Sequence, residues 1–311
     1  MPTQDQIIND LIKVMDDAVT SFNDDMPSVQ KRAYAKVVEM LADLDKVGGN
    51  VKVTVKNLKI FRSIRKELEG IIFDEKYKKK VDEFVKSYDE VTKLNNAYFY
   101  AISSDFTTKA VFEEIKQASI ESVKENLLNS GMKANVVNKL NDIMIQNMTT
   151  SVKYSDLVDQ VRVFLTDSKD GDGALVKYAK NLTTDSINQF NAQYTATATN
   201  DLGLQWYKYV GSLLTTSRAF CVHLIDAKKE GMPFIHVSQF PQLLKGQING
   251  QQIPINPKTN LPYGMNKETN PSNLEMLRGG YGCAHHFYPV SSAIVPKELK
   301  DKYEELKKLE G

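Results

Sequence analysis

The sequence predicts a mainly α-helical protein, with a helical N-terminal portion followed by a small α+β C-terminal domain. Three observations carry this. Apolar residues recur at helical spacing through the first 200 positions, and the texture turns aromatic near Gly203. Eight of the ten prolines then lie between Pro233 and Pro296, where a helical bundle could not hold them.

Taken in order, Ile7, Ile8, Leu11, Ile12, Met15, Val19 and Phe22 mark a first helix over about 4–22. Asp25 and Pro27 supply an N-cap and an early-turn proline for a second, carrying Val38, Met40, Leu41 and Leu44, which Gly48-Gly49 ends. The same periodicity covers about 55–72, 76–100, 108–130, 133–148, 155–166 and 174–200. Isolated helices are marginal, so these must pack on each other or on a partner. Leu204 to Val210, through Trp206-Tyr207-Lys208-Tyr209, is too short for a helix and reads as a strand. Asn249-Gly250 signals a hairpin between 246–248 and 251–253, and 257–264 reads as turns. Residues 297–311 read as a charged C-terminal helix started by Pro296.

Composition limits the function classes. The 311 residues are 41% hydrophobic and 25% charged, as in a soluble globular protein rather than a disordered one. The net charge is +1, with about −2 in residues 1–200 and about +3 in 201–311, so no basic bias points to nucleic acid and DNA contact is left open. No apolar run approaches the ~20 residues of a membrane span, and the first residues lack a signal-peptide pattern. With two cysteines there is no disulfide framework, which fits synthesis in a reducing cytoplasm.

The versatile chemistry is clustered. Cys221, Cys283, His223, His236, His285 and His286, all the cysteines and histidines of the chain, fall within 221–286. Thiolate and imidazole are preferred zinc ligands, and a structural site needs four donors. Cys283 and His285 converge if 284–289 is extended, while His286 points away. His223 joins Cys221 only if that stretch is not helical. Three readings stay open: a metal held by Cys221, Cys283 and His285, with His223 as a further candidate; buried thiols and hydrogen-bonded imidazoles; or a Cys221–Cys283 disulfide. A Cys221–His285 nucleophile pair is a fourth, since such partners meet only in the fold. Asp167–Gly173 fails the EF-hand spacing and reads as a connecting loop, and Lys76–Lys80 reads as a solvated helix face. There is no Walker A loop, nucleophile elbow or HExxH motif.

Three pieces in order, Trp206-Tyr207-Lys208-Tyr209-Val210-Gly211, Thr216-Ser217-Arg218-Ala219-Phe220-Cys221, and Gly279-Gly280-Tyr281-Gly282-Cys283-Ala284-His285, resemble the phage Mu protein F-type head morphogenesis family of tailed bacteriophages. His286-Phe287-Tyr288-Pro289-Val290 fills that family's closing aromatic-Pro-hydrophobic strand, and the resemblance spans about residues 150–292. Alanine stands at Ala284 where arginine is frequent, and His285 where cysteine is common. The resemblance implies three parts: a helical portion over 1–149, a head-morphogenesis-like α+β domain over 150–296, and the tail helix. It also implies a non-enzymatic minor head protein assisting prohead assembly near the portal. Its partners would be portal and capsid proteins, with self-association a further option and no membrane. It would be made in the host cytoplasm and join the virion at the capsid interior or portal region; the one cofactor that the clustered cysteines and histidines suggest is structural zinc. The rival is a zinc- or cysteine-dependent hydrolase or a phage-delivered effector, because fold and function are separable. Independently of the family, Trp206 reads as an anchor of the small core, and Arg218 as a pin from its turn to a helix C-terminus or an acidic side chain.

Overall fold

The computed structural model describes residues 2–167, 171–229, 234–248, 250–301 and 303. Asn249 at the expected hairpin tip, positions 168–170 of the acidic loop and most of the expected tail helix lie outside them. The chain is mainly α with a small α+β region toward its C-terminus, and its elements follow from local chemistry. Helix α1 (Gln4–Asn23) opens on a capping box, with Gln6 N–H donating to the Thr3 hydroxyl at 3.2 Å and Thr3 N–H to the Gln6 side chain at 2.7 Å. Helix α2 (Met26–Leu41) has Pro27 in its first turn, but Asp25 makes no cap hydrogen bond; its carboxylate pairs with Lys76 and Lys80 instead. Helix α3 (Val55–Ile72) is capped by Thr54, whose hydroxyl accepts from Asn57 N–H. Asp74 does the same for α4 (Glu75–Ile102), accepting from Tyr77 N–H at 2.8 Å.

Helix α5 (Ala110–Leu128) is followed by a short turn α6 (Ser130–Met132), a π-helical turn (Lys133–Val137) and α7 (Asn138–Thr149). Continuous helix was expected over 133–148, so the wider turn is a departure. Helices α8 (Tyr154–Thr166) and α9 (Ala174–Leu202) complete the helical series before α10 (Ala219–Lys229), and α9 ends on left-handed Gly203. A second departure is at Gly48-Gly49. Rather than ending α2, they turn a hairpin between β1 (Lys46–Val47) and β2 (Asn50–Val51). Both have positive φ, 59° and 80°, as a two-residue hairpin turn needs.

By contact the chain divides into two compact units. One comprises Met15–Asp89 and Gln117–Ser186. In it α2 packs on α3 and α8, and α7 on α8, while Phe22 meets Tyr77 and Phe84 edge-on or tilted at 5.9 and 5.6 Å. Buried Asn57 ties the hairpin down by accepting from Asp45 N–H and donating to the Asp45 and Lys52 carbonyls.

The other unit comprises Met1–Val14, Glu90–Lys116 and Ile187–Gly311. Its centre is an antiparallel sheet in which β3 (Trp206–Val210) lies between β4 (Ile235–His236) and β9 (His286–Val290). Tyr209 pairs with Phe287 and Lys208 with Tyr288, so alternation sends Tyr207, Tyr209 and Phe287 to one face. That face packs on α10 and on the short helix α11 (Phe240–Leu244) through Phe220, Leu224 and Phe240. The opposite face carries Tyr288, whose ring meets Tyr98 at 5.6 Å, and the Tyr98 hydroxyl donates to the Pro289 carbonyl at 2.7 Å. Both faces are covered, which explains why β9 is buried at every position. Two two-residue ladders follow: the expected hairpin as β5 (Gln247–Ile248) with β6 (Gln251–Gln252), and β7 (Ile255–Asn256) with β8 (Leu261–Pro262) around the expected turns. The shortest helix, α12 (Leu274–Leu277), precedes the glycine-rich loop that leads to β9. Among the described residues no helix is long and apolar enough to cross a membrane.

Candidate metal centre

Three of the clustered side chains come together, each from a different structural context. Cys221 lies on α10, where Phe220, Cys221 and Leu224 form the face turned to the core. Cys283 lies in the loop between α12 and β9, and His285 immediately before β9. All three are buried, and their ligand atoms lie within 4.8 Å of one another, the one such group among the described residues. The two Sγ atoms are 3.7 Å apart and both thiols are free. Cys283 Sγ is 3.8 Å from His285 Nδ1. For metal–sulfur bonds of ~2.3 Å, tetrahedral geometry separates two sulfurs by about 3.8 Å, so the pair is spaced as ligands of one ion. The group can therefore hold a metal. Its sulfur separation is well beyond the ~2.05 Å of a disulfide.

Two glycines make the approach possible. A Cβ on Gly279 would sit 2.7 Å from Cys221 Sγ and 2.9 Å from Cys283 Sγ. A Cβ on Gly211 would sit 2.6 Å from the His285 ring. Glycine at the end of β3 thus lets the imidazole lie against the strand, where the Tyr209 ring stacks on it at 5.6 Å and 4°.

The electrostatics follow from burial and mutual contact. The hydrogen bond from Cys221 lowers the Cys283 thiol against the effect of burial, with His285 and the Arg278 guanidinium adding to it. The same bond, with burial, raises Cys221. Burial, then the two cysteines, pushes the Tyr209 hydroxyl well above the ordinary tyrosine value; it lies 3.2 Å from Cys221 Sγ and 3.8 Å from Cys283 Sγ. His285 Nε2 is buried with no hydrogen-bond partner.

The other candidates take other places. His223 is half-buried on α10, two residues and about 200° round the helix from Cys221, and is not in the group. His286 points to the opposite face, as its place in the strand predicts. Its Nε2 meets Asn188 Oδ1 at 2.8 Å and its Nδ1 meets Asn191 Nδ2 at 3.3 Å. Burial, then Arg278, lowers its pKa well below the ordinary histidine value, so it is a neutral structural imidazole. His236 stacks on Tyr303 and lies edge-on to Trp206. Trp206 is buried with Val290 and Val295 in a small cluster on the other face of the sheet. Arg218, one residue before α10, donates to the Tyr281 carbonyl. It pins the loop that carries Cys283, where a helix C-terminus or acidic partner was expected. Sequence reasoning passed over Tyr209 and Gly279 as site residues. Strand alternation with Tyr207 was the only available signal for Tyr209, and the Gly279-Gly280 pair beside Cys283 the only one for Gly279.

Compared with protein-family models, curated proteins and solved structures, the chain matches none.

Proposed function

We propose that this protein is a structural minor head protein of a tailed phage, assisting prohead assembly near the portal, and that its buried ligand group holds a structural zinc ion. The observation that supports it is convergence. The three segments that carry the resemblance, β3, the Thr216–Cys221 step and Gly279–His285, are also the segments that supply the buried group and its surroundings. Two thiolates and an imidazole suit zinc, and the sulfur spacing matches its tetrahedron. A zinc here would fasten α10, the loop before β9 and the sheet together, so its binding energy would be folding energy.

A hydrolase would need an open coordination position or an accessible thiolate. Cys221, Cys283 and His285 are respectively 1%, 3% and 5% exposed, which supports the non-enzymatic reading. Portal and capsid proteins are the partners in this proposal, and the virion is the destination. The test is particle biochemistry in the producing phage. The chain should co-purify with proheads or with portal protein, and loss of its gene should reduce infectious particles while coat synthesis continues. Its absence from every particle species would refute the head-protein reading.

A further inference from the structure

A tetrahedral ion held by Cys221, Cys283 and His285 lacks a fourth donor, and nothing in the sequence pattern supplies it. We infer that the Tyr209 hydroxyl oxygen is that donor, making a closed Cys-Cys-His-Tyr site. The inference rests on the metal reading above and goes beyond it by fixing the last ligand and excluding bound water. Tyr209 reaches the group from β3, and its oxygen lies 3.2 Å from Cys221 Sγ and 3.8 Å from Cys283 Sγ. With the sulfurs 3.7 Å apart, these three atoms outline one face of a tetrahedron of the size a zinc–thiolate site requires. The imidazole lies parallel to the phenol ring, its Nδ1 3.8 Å from Cys283 Sγ.

The alternative fourth donor, a water molecule, would need access and polar partners. Tyr209 is buried, and its hydroxyl meets the two sulfurs rather than a carbonyl or carboxylate. On binding, the divalent ion would take the lone pairs of two sulfurs, one nitrogen and one phenol oxygen. The two thiols and the phenol would release their protons to solvent. The resulting site carries one net negative charge, and the guanidinium groups of Arg218 and Arg278 act on Cys221 and Cys283 with the sign that offsets it.

Cobalt(II) loading of the full chain tests this. In the wild type the intense visible bands of a tetrahedral thiolate site should form at one equivalent and should not change on adding azide, because no position is open. In Tyr209→Phe, which keeps the ring, the bands should shift with azide and cobalt affinity should fall at least about tenfold. Azide-sensitive bands in the wild type, or a variant that binds like the wild type and ignores azide, would overturn the tyrosine ligand while leaving the three-ligand metal site standing. A wild type that takes up no cobalt or zinc at all would overturn both. Because the variant also removes a buried hydroxyl, a second measurement uses the wild type alone. Metal addition should produce the ultraviolet difference band of a bound tyrosinate, saturating at one equivalent, and its absence would refute Tyr209 ligation.

Discussion

Replacing Gly279 with alanine perturbs the proposed centre without touching a ligand. The added methyl would lie 2.7 Å from Cys221 Sγ and 2.9 Å from Cys283 Sγ, roughly 1 Å inside a normal contact distance for each. Gly279 does not have the left-handed backbone that alanine resists, so the effect is steric. Neither sulfur yields cheaply, since each is one bond from Cβ in a buried side chain. Overpacking of this kind costs ~1–3 kcal/mol in the metal-free protein. Spreading the sulfurs from their ligand spacing should also weaken metal binding by ~10–100-fold, a further ~1.4–2.7 kcal/mol of lost stabilisation under limiting zinc. Gly203→Ala is the control. It has open space and φ of +62°, so it should cost ~1–2 kcal/mol in strain with unchanged metal affinity. The assay is thermal melting with and without chelator, together with competition for zinc against a chromophoric chelator. Gly279→Ala binding zinc as tightly as wild type, with the same chelator-induced drop in melting temperature, would refute the placement of both sulfurs.

Other consequences are independent of the metal. Gly70→Ala, exposed on α3 with nothing within 4 Å of the new methyl, should stabilise by ~0.5–1 kcal/mol in urea melts, and a destabilised variant would contradict the helical assignment there. Asp74→Ala should cost ~1–2 kcal/mol through loss of the α4 cap, whereas Asp74→Asn should retain most of it. Although burial opposes it, hydrogen bonds from Tyr77 N–H and Arg32 hold the Asp74 carboxyl below the usual carboxylate range. Its share of stability is therefore complete above about pH 4 and lost as pH falls through the lowered folded value; urea melts of Asp74→Asn should show a shallower acid loss, and identical pH slopes would count against it.

The helical series was legible because its signal is local and repeated. Ile7, Ile8, Leu11, Met15 and Phe22, picked from spacing alone, are all buried on α1. On α3, expected over about 55–72, Phe61, Ile64, Leu68 and Ile72 face inward. What failed to read was decided by tertiary context. Gly48-Gly49 has the chemistry of both a helix stop and a hairpin turn, and contacts distant in sequence, such as Val51 N–H donating to the Val152 carbonyl and Tyr154 N–H to the Gly49 carbonyl, go with the hairpin. The π-helical turn at 133–137 has no spacing signature of its own. For the candidate centre, Cys221, Cys283 and His285 stood out as residue types, and helical geometry already set His223 apart. Tyr209 did not stand out, because an aromatic strand residue reads as core until its hydroxyl is seen between two sulfurs. The same limit hid Asn188 and Asn191, whose amides fix the neutral ring of His286 across about a hundred residues of chain.

The most direct measurement is the metal content of the full chain purified without added metal, by elemental analysis, alongside Cys283→Ser. About one equivalent of zinc should accompany the wild type, with the serine variant near zero and chelation lowering the melting temperature of the wild type only. Less than about a tenth of an equivalent in the wild type, with melting unchanged by chelator, would contradict the structural zinc centre and leave Cys221 and Cys283 as buried thiols.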